Sequence, residues 1–289
     1  IGLNAQPFDA HKHQALPLVA DARAGLEALN AALAGWQVDP VWTEDARAGK
    51  DEWLTAADTA TASTNAELPS DAQVIGAVQR ARGSATLVCA AGGLPGELHK
   101  LWKAEGPGSY HLEYGFSTMG YEIAGGLGVK LARPDDDVVV MVGDGSYLML
   151  NSEIVSAILL GASMTIVVLD NSGYGCINRL QMATGGANFN NLLKDTHHVT
   201  VPGIDFAAHA ASMGASARKV RSITELESAL QETEGAAGVT VIVIDTDPLI
   251  TTDAGGHWWD VAVPEVSDRP EVNAAREAYI QALKAQRAG

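Results

Sequence analysis

Residues 137–175 read DVVVMVGDGSYLMLNSEIVSAILLGASMTIVVLDNSGYG, and the succession of patterns in this stretch decides the fold. Residues 138–142 are a continuous Val/Met run, 147–161 read as a helix, and 164–170 are a second run rich in β-branched residues. Short runs that are apolar on both faces belong to strands buried in a parallel sheet, joined by a crossover helix. Open sheets of this kind bind ligands at the carboxyl ends of their strands. Asp144 stands just past the first strand and Asn171 just past the second. Neighbouring strands lie about 5 Å apart, so a carboxylate and an amide oxygen would meet at one edge. Both are hard oxygen donors suited to Mg2+, a cation commonly shared with substrate phosphates. The Gly173 carbonyl would be a third protein ligand. Gly143 and Gly145 predict a tight turn with close backbone approach, and Ser146 is expected to open the next helix. Gly-Asp-Gly alone is a weak signal, since a strand, a turn with a solvated Asp and a capping Ser give the same letters. Asn171 at the end of the next strand, followed by Gly173 and Gly175, narrows the reading.

The same alternation extends outward from about residue 70. Ser70 and Asp71 predict a cap for a helix over 72–82, ATLVCA (85–90) a buried strand, and GELHKLW (96–102) a helix. A glycine-bearing helix over 117–132, helices over 205–213 and 224–232, a strand over 239–245 and a final helix over 270–287 complete the pattern. The expected class is α/β, a parallel sheet flanked by helices on both faces, over 70–289. Residues 36–69 read as a linker or a packed surface segment. Residues 1–35 hold one strand and one helix, with Asp21 as N-cap, too little for a domain and so the end of a preceding one.

With 19 basic and 35 acidic residues the chain carries a net charge of −16. That argues against nucleic acid and against an anionic membrane surface as partners. A bound phosphate would have to rely on backbone N–H groups or a metal. Two cysteines, Cys89 and Cys176, rule out a disulfide framework and suggest a reducing cytoplasm. No apolar run reaches the roughly 18 residues of a membrane span. The start at Ile1, inside sequence that already reads as folded, points to a fragment or a processed subunit.

The motif resembles that of the thiamine diphosphate enzymes: Gly143, Asp144 and Gly145, then 25 residues, then Asn171. That family usually ends on Asn-Asn, and Asp170-Asn171 departs at the position that is not a metal ligand. GFSTMGYEIAGGLG (115–128) is similar to a segment of the acetolactate synthase group. Carried over, Ser117 would offer a carbonyl and Met119 an N–H to the aminopyrimidine, and Met149 would lie under the bend of the cofactor. The resemblance also places Ser146, Tyr174 and Gly175 at the cofactor. FDAHKHQALPLVADARAGLEAL (8–29), the segment 110–132, GDGSYLMLNSEIV (143–155), DNSGYGCINRLQ (170–181) and TTDAGGHWWDVAVPEV (251–266) together look like the trihydroxycyclohexane-1,2-dione hydrolases of inositol catabolism. The match is to their C-terminal half. It makes 1–35 the end of a central domain and 70–289 the diphosphate-binding domain. It implies thiamine diphosphate and Mg2+ as cofactors, a polyol dione as substrate, and an oligomer. The activating Glu would come from a separate pyrimidine-binding half, leaving the isolated chain inactive. Within the same superfamily, a carboligase or a 2-oxoacid decarboxylase is the alternative. Outside it stand a separate subunit and a non-catalytic cofactor-binding protein.

Other candidates carry blander readings beside the functional ones. His11 and His13 share a face but lack a third ligand. His197 and His198 read as loop residues. His257, with Trp258 and Trp259, either covers a pocket or packs a C-terminal segment. Cys176 reads as a small hydrophobe. Glu113 and Glu122 flank the Met119 segment and read as surface or structural groups ahead of substrate contacts.

Overall fold

The Val/Ile runs become strands because only a sheet covered on both faces buries every side chain of such a run. The computed structural model describes residues 1–253 and 260–286. In chain order the elements are β1 (Gly2–Asn4), α1 (Pro7–Ala10), β2 (Pro17–Val19), α2 (Ala22–Ala32), α3 (Pro40–Ala60), α4 (Asp71–Arg82), β3 (Thr86–Cys89), α5 (Gly93–Leu101), β4 (Tyr110–Leu112), α6 (Tyr121–Ala132), β5 (Val138–Gly143), α7 (Asp144–Met149), α8 (Glu153–Leu159), β6 (Met164–Asp170), α9 (Gly175–Ala183), α10 (Phe206–Ser212), β7 (Ser216–Val220), α11 (Ile223–Glu232), β8 (Val239–Asp245) and α12 (Pro270–Ala285). Strands β3 to β8 form one parallel sheet in the order β4-β3-β5-β6-β8-β7.

Alternate residues of the central strands enter two cores. Val139, Met141, Val167, Leu169, Ile242 and Ile244 pack under α4, α5 and α11. Val138, Val140, Val142, Ile166, Val168 and Val241 pack on the other face with Ile123, Tyr147 and Ile154. Each such buried side chain contributes about 1.5–3 kcal/mol. The expected α/β class is therefore what the chain adopts. The chain reverses direction across the sheet between β3 and β5, and the carboxyl edge beside that reversal is where open sheets take ligands.

Several caps form as the sequence predicts. The Asp21 carboxylate accepts the N–H groups of Arg23 and Ala24 at 3.0 and 3.2 Å. Ser70 and Gln73 close a reciprocal capping box on α4. Other elements differ from expectation. The segment read as a linker contains the 21-residue helix α3, begun by the Asp39 cap and Pro40, with Ala57 its buried residue. The helix expected over 147–161 is broken, because Leu150 adopts φ −151° and separates α7 from α8. The helix expected from 117 starts only at Tyr121, since Ser117 and Gly120 have φ of 52° and 93°. Near the amino terminus β1 and β2 pair with each other in a two-stranded parallel sheet. Phe8, Leu16 and Leu26 are exposed there. Among the described residues no helix is long and apolar enough to cross a membrane.

Candidate functional site

β5 and β6 are adjacent and in register, Gly143 opposite Leu169, so Asp144 and Asn171 leave the sheet side by side. Asp144 is 6% exposed, and its Oδ2 accepts the Gly173 N–H at 2.9 Å. The Asn171 Oδ1 is buried and has no hydrogen-bond partner among the described residues. The turn after β6 is held by several hydrogen bonds. Asp170 Oδ1 accepts the Ser172 N–H at 3.0 Å, and Ser172 and Gly173 take φ of 58° and 146°. Residues 191–193 fasten the turn from outside through Tyr174 N–H to the Asn191 carbonyl (2.7 Å) and Leu193 N–H to the Ser172 carbonyl (2.9 Å). A Cβ on Gly173 would come within 2.4 Å of the Asn191 carbonyl oxygen, so this position admits no side chain.

Burial pushes the Asp144 carboxyl up to about 7, and the nearby charge of Asp170 pushes in the same direction. The N–H groups of Gly173 and Gly145 pull it back only in part. The Asp170 carboxyl is also raised, by burial first and by Asp245 next. The departure from Asn-Asn thus adds negative charge beside Asp144. A divalent cation suits this arrangement. It would favour the ionised form of Asp144 and give the orphaned Asn171 oxygen a partner, and both donors are hard. Among the described residues no cluster of three or more His, Cys, Asp or Glu offers a rival metal site.

Helix α7 begins at Asp144, two residues earlier than the expected start at Ser146, with Gly143 as its cap. Gly143 has an ordinary φ of −77° and does not serve the tight turn expected of it. Gly145 serves close approach, since a Cβ there would lie 2.8 Å from the Tyr174 ring and 3.6 Å from Met119 Cε. Gly145, Tyr174 and Met119 therefore meet. A Cβ on Gly175 would lie 3.2 Å from Asn171 Nδ2, which brings α9 up to the same corner. The Ser146 hydroxyl is engaged inside the protein, donating to the Glu122 carboxylate and accepting the Gly120 N–H at 2.7 Å. Met149, at the last position of α7, is 51% exposed, and its Cβ and that of Leu150 bound the space beside Gly120. Ser117 lies in an exposed turn closed by Glu113, whose carboxylate accepts the N–H groups of Thr118 (2.7 Å) and Phe116 (3.0 Å). These two bonds hold the Glu113 carboxyl below its usual range.

The remaining candidates lie apart. His11 is exposed, with its Nδ1 2.8 Å from the Pro7 carbonyl, and His13 is exposed as well. His197 and His198 are exposed loop residues. Cys176 is half-buried, and burial raises its thiol. His257, Trp258 and Trp259 lie outside the described residues. Two features escaped the sequence reading. The turn Ala91–Gly93 leaves β3 beside the Asp144 corner, with Gly92 at φ 92°, and its signal was a double glycine directly after a strand. Arg179 on α9 packs against Gly93 and donates to the Pro248 carbonyl at 2.9 Å; the buried positions of α9 are Gly175 and Asn178, which announce no apolar core face.

Comparison with known proteins agrees with this geometry. Residues 90–244 match the family described as thiamine pyrophosphate enzyme, C-terminal TPP binding domain. The chain is 37% identical to the 3D-(3,5/4)-trihydroxycyclohexane-1,2-dione hydrolase of Halalkalibacterium halodurans, over 96% of this chain and 47% of that protein. It is 34% identical to the Bacillus subtilis hydrolase of the same name, over 98% of this chain and 48% of that protein. It thus spans about half the length of these relatives. In fold it is similar to the thiamine diphosphate-dependent 4-hydroxybenzoylformate decarboxylase of Rhodococcus jostii RHA1, with a TM-score of 0.57 and 23% identity, over 64% of this chain and 34% of that one. It is similar also to a benzoylformate decarboxylase from Polynucleobacter necessarius, with a TM-score of 0.53 and 20% identity, over 62% of this chain and 33% of that one.

Proposed function

Because this chain belongs to the thiamine pyrophosphate enzymes, through their C-terminal TPP-binding domain, we propose that it holds thiamine diphosphate through one Mg2+. We further propose that it serves a hydrolase that opens the ring of trihydroxycyclohexane-1,2-dione by carbon–carbon cleavage. The product would be a 5-deoxy-glucuronate, in the catabolism of myo-inositol. The names of the relatives support this substrate over the carboligase and 2-oxoacid decarboxylase alternatives.

One observation carries the cofactor reading. The buried Asn171 Oδ1 lacks a partner at the strand end adjacent to the buried Asp144 carboxylate. Asp144, Asn171 and the Gly173 carbonyl would hold the metal, and the diphosphate would complete its shell. Gly145 and Gly175 let Tyr174 and Asn171 pack closely at that corner, and the Ser146 contribution would come from its backbone. Ser117 and Met119 would meet the aminopyrimidine, with Met149 beneath the bend and Tyr174 alongside. When bound, the cofactor supplies the electron sink for cleaving a bond next to a carbonyl, and this chain binds and orients it. Apolar side chains stand exposed beside the site, Phe116 at 93%, Met149 at 51% and Leu148 at 47%. They support a pyrimidine-binding half and a second subunit, in a homodimer or homotetramer, as what covers them. We place the activating Glu in that half, and the assembly in the cytoplasm on the strength of the free Cys89 and Cys176.

Calorimetric titration with Mg2+ and thiamine diphosphate tests the reading. The wild-type chain binds only with both present, and Asp144→Ala abolishes binding while its circular dichroism stays native. Metal-independent binding, or full binding by Asp144→Ala, contradicts it. With the pyrimidine-binding half added, ring opening of the dione and not pyruvate consumption is the expected activity.

A further inference from the structure

Glu122 is the second residue of α6 and only 1% exposed, in a helix whose buried neighbours are Ile123, Gly125, Gly126 and Leu127. A carboxylate buried in such company is unfavourable unless donors surround it. The donors come from three separate segments, and all three border the Asp144 corner. The Ser146 hydroxyl lies 2.8 and 2.7 Å from its two oxygens. The Gly120 N–H reaches Oε2 at 3.1 Å, and the Ala91 N–H reaches Oε1 at 3.4 Å. Glu122 thus ties the turn after β3, the Met119–Gly120 turn and the start of α7 to one side chain. Gly120 itself sits at φ 93°, where a Cβ would meet those of Leu150 and Met149 at 3.1 and 3.4 Å. Whatever holds the Gly120 amide therefore also sets the gap between the Met119 turn and Met149.

We propose that Glu122 is a positioning residue that presets the Met119–Gly120 backbone for the pyrimidine end of the cofactor, with the Ser146 hydroxyl as its relay. The inference rests on the thiamine diphosphate reading. It separates the two ends of the ligand: Asp144 and Asn171 hold the diphosphate, and Glu122 acts on the other end through the backbone. A carboxylate is required because every group facing it is a donor. An amide of the same shape would turn one N–H2 toward the Ser146 hydroxyl or a backbone N–H.

The test compares two ligands on the full 289-residue chain, Mg2+ with thiamine diphosphate and Mg2+ with inorganic pyrophosphate, in wild type and Glu122→Gln. Thiamine diphosphate affinity falls about tenfold or more, as for loss of a hydrogen bond to a charged group, while pyrophosphate affinity stays within about twofold. In the ligand-free protein, hydrogen exchange at the Gly120 amide accelerates about tenfold. Ser146→Ala gives the same acceleration with a smaller change to the fold, and the double variant exchanges no faster than Glu122→Gln alone. It serves as the test if Glu122→Gln does not fold. Equal losses for both ligands, or unchanged exchange at Gly120 in either folded variant, overturn the proposal. A wild-type chain that binds neither ligand overturns the cofactor reading beneath it, a different and separable result.

Discussion

Asp144 and Met149 stand at the two ends of one six-residue helix, yet the first is 6% and the second 51% exposed. The Asp144 end is closed by this chain alone: β6, the Gly173 turn and residues 191–193 wrap it in hydrogen bonds. The Met149 end is open, and Leu148 and Leu150 beside it are exposed at 47% and 37%. The difference separates an enclosed end from an open one. The Asp144 end is organised by local chain, whereas the other end presents exposed apolar side chains, the surface that the proposed partner half would cover.

The sharpest way to break this contrast is to mutate its two ends. Asp144→Ala lowers affinity for Mg2+ and thiamine diphosphate by about a hundredfold or more, since loss of groups merely supporting a metal ligand already costs 10–100-fold. Met149→Ala lowers it by less than about tenfold in the isolated chain, because an exposed side chain has little packing to lose. Calorimetry on the two variants decides it, and equal losses would erase the distinction between the ends.

Acidity gives a second, smaller effect. The Asp144 carboxyl titrates at about 7 in the fold against 3.8 for its ordinary value, so between those values the folded state holds a proton that the unfolded state has lost. Stability of the metal-free chain therefore falls as pH rises from about 4 to about 7, by roughly 2–4 kcal/mol from this group. Asp71, raised to about 6 mainly by burial, adds in the same direction. Urea melts across that range follow the slope, and Asp144→Asn flattens it. Saturating Mg2+ with the diphosphate ligand reverses it, because binding selects the ionised carboxylate and weakens as pH drops below about 7.

The smallest effect belongs to the open face. Phe116→Ala changes the stability of the isolated chain by no more than about 0.5 kcal/mol, since a 93% exposed side chain has almost no burial to lose. The same substitution weakens assembly with the pyrimidine-binding half, read by sedimentation velocity. Unchanged assembly would mean that the face is not an interface.

The sequence made the Asp144 end legible for the same reason that the end is enclosed. Strands β5 and β6 are built on the apolar runs 138–142 and 166–169, and one connection between them fixes Asp144 beside Asn171. What escaped was weakly patterned. β7 reads SARKV with only Val220 buried, because an edge strand needs no apolar alternation. α3 was missed because, of its 21 residues, only Ala57 is buried, so no stripe marks it. The break after α7 and the late start of α6 were missed because Leu150, Ser117 and Gly120 take conformations imposed by tertiary packing, which local spacing does not encode. The buried contacts of Glu122, read as a surface or structural group, are not legible in the sequence, because two of its three partners, Ala91 and Ser146, lie 31 and 24 residues away.

The most direct test of the central claim is a crystal structure of the chain with Mg2+ and thiamine diphosphate. The account predicts one Mg2+ at about 2.0–2.1 Å from an Asp144 carboxylate oxygen, Asn171 Oδ1 and the Gly173 carbonyl, with diphosphate oxygens completing an octahedron. A metal bound elsewhere, or a diphosphate seated while Asn171 Oδ1 stays without a ligand, would contradict it.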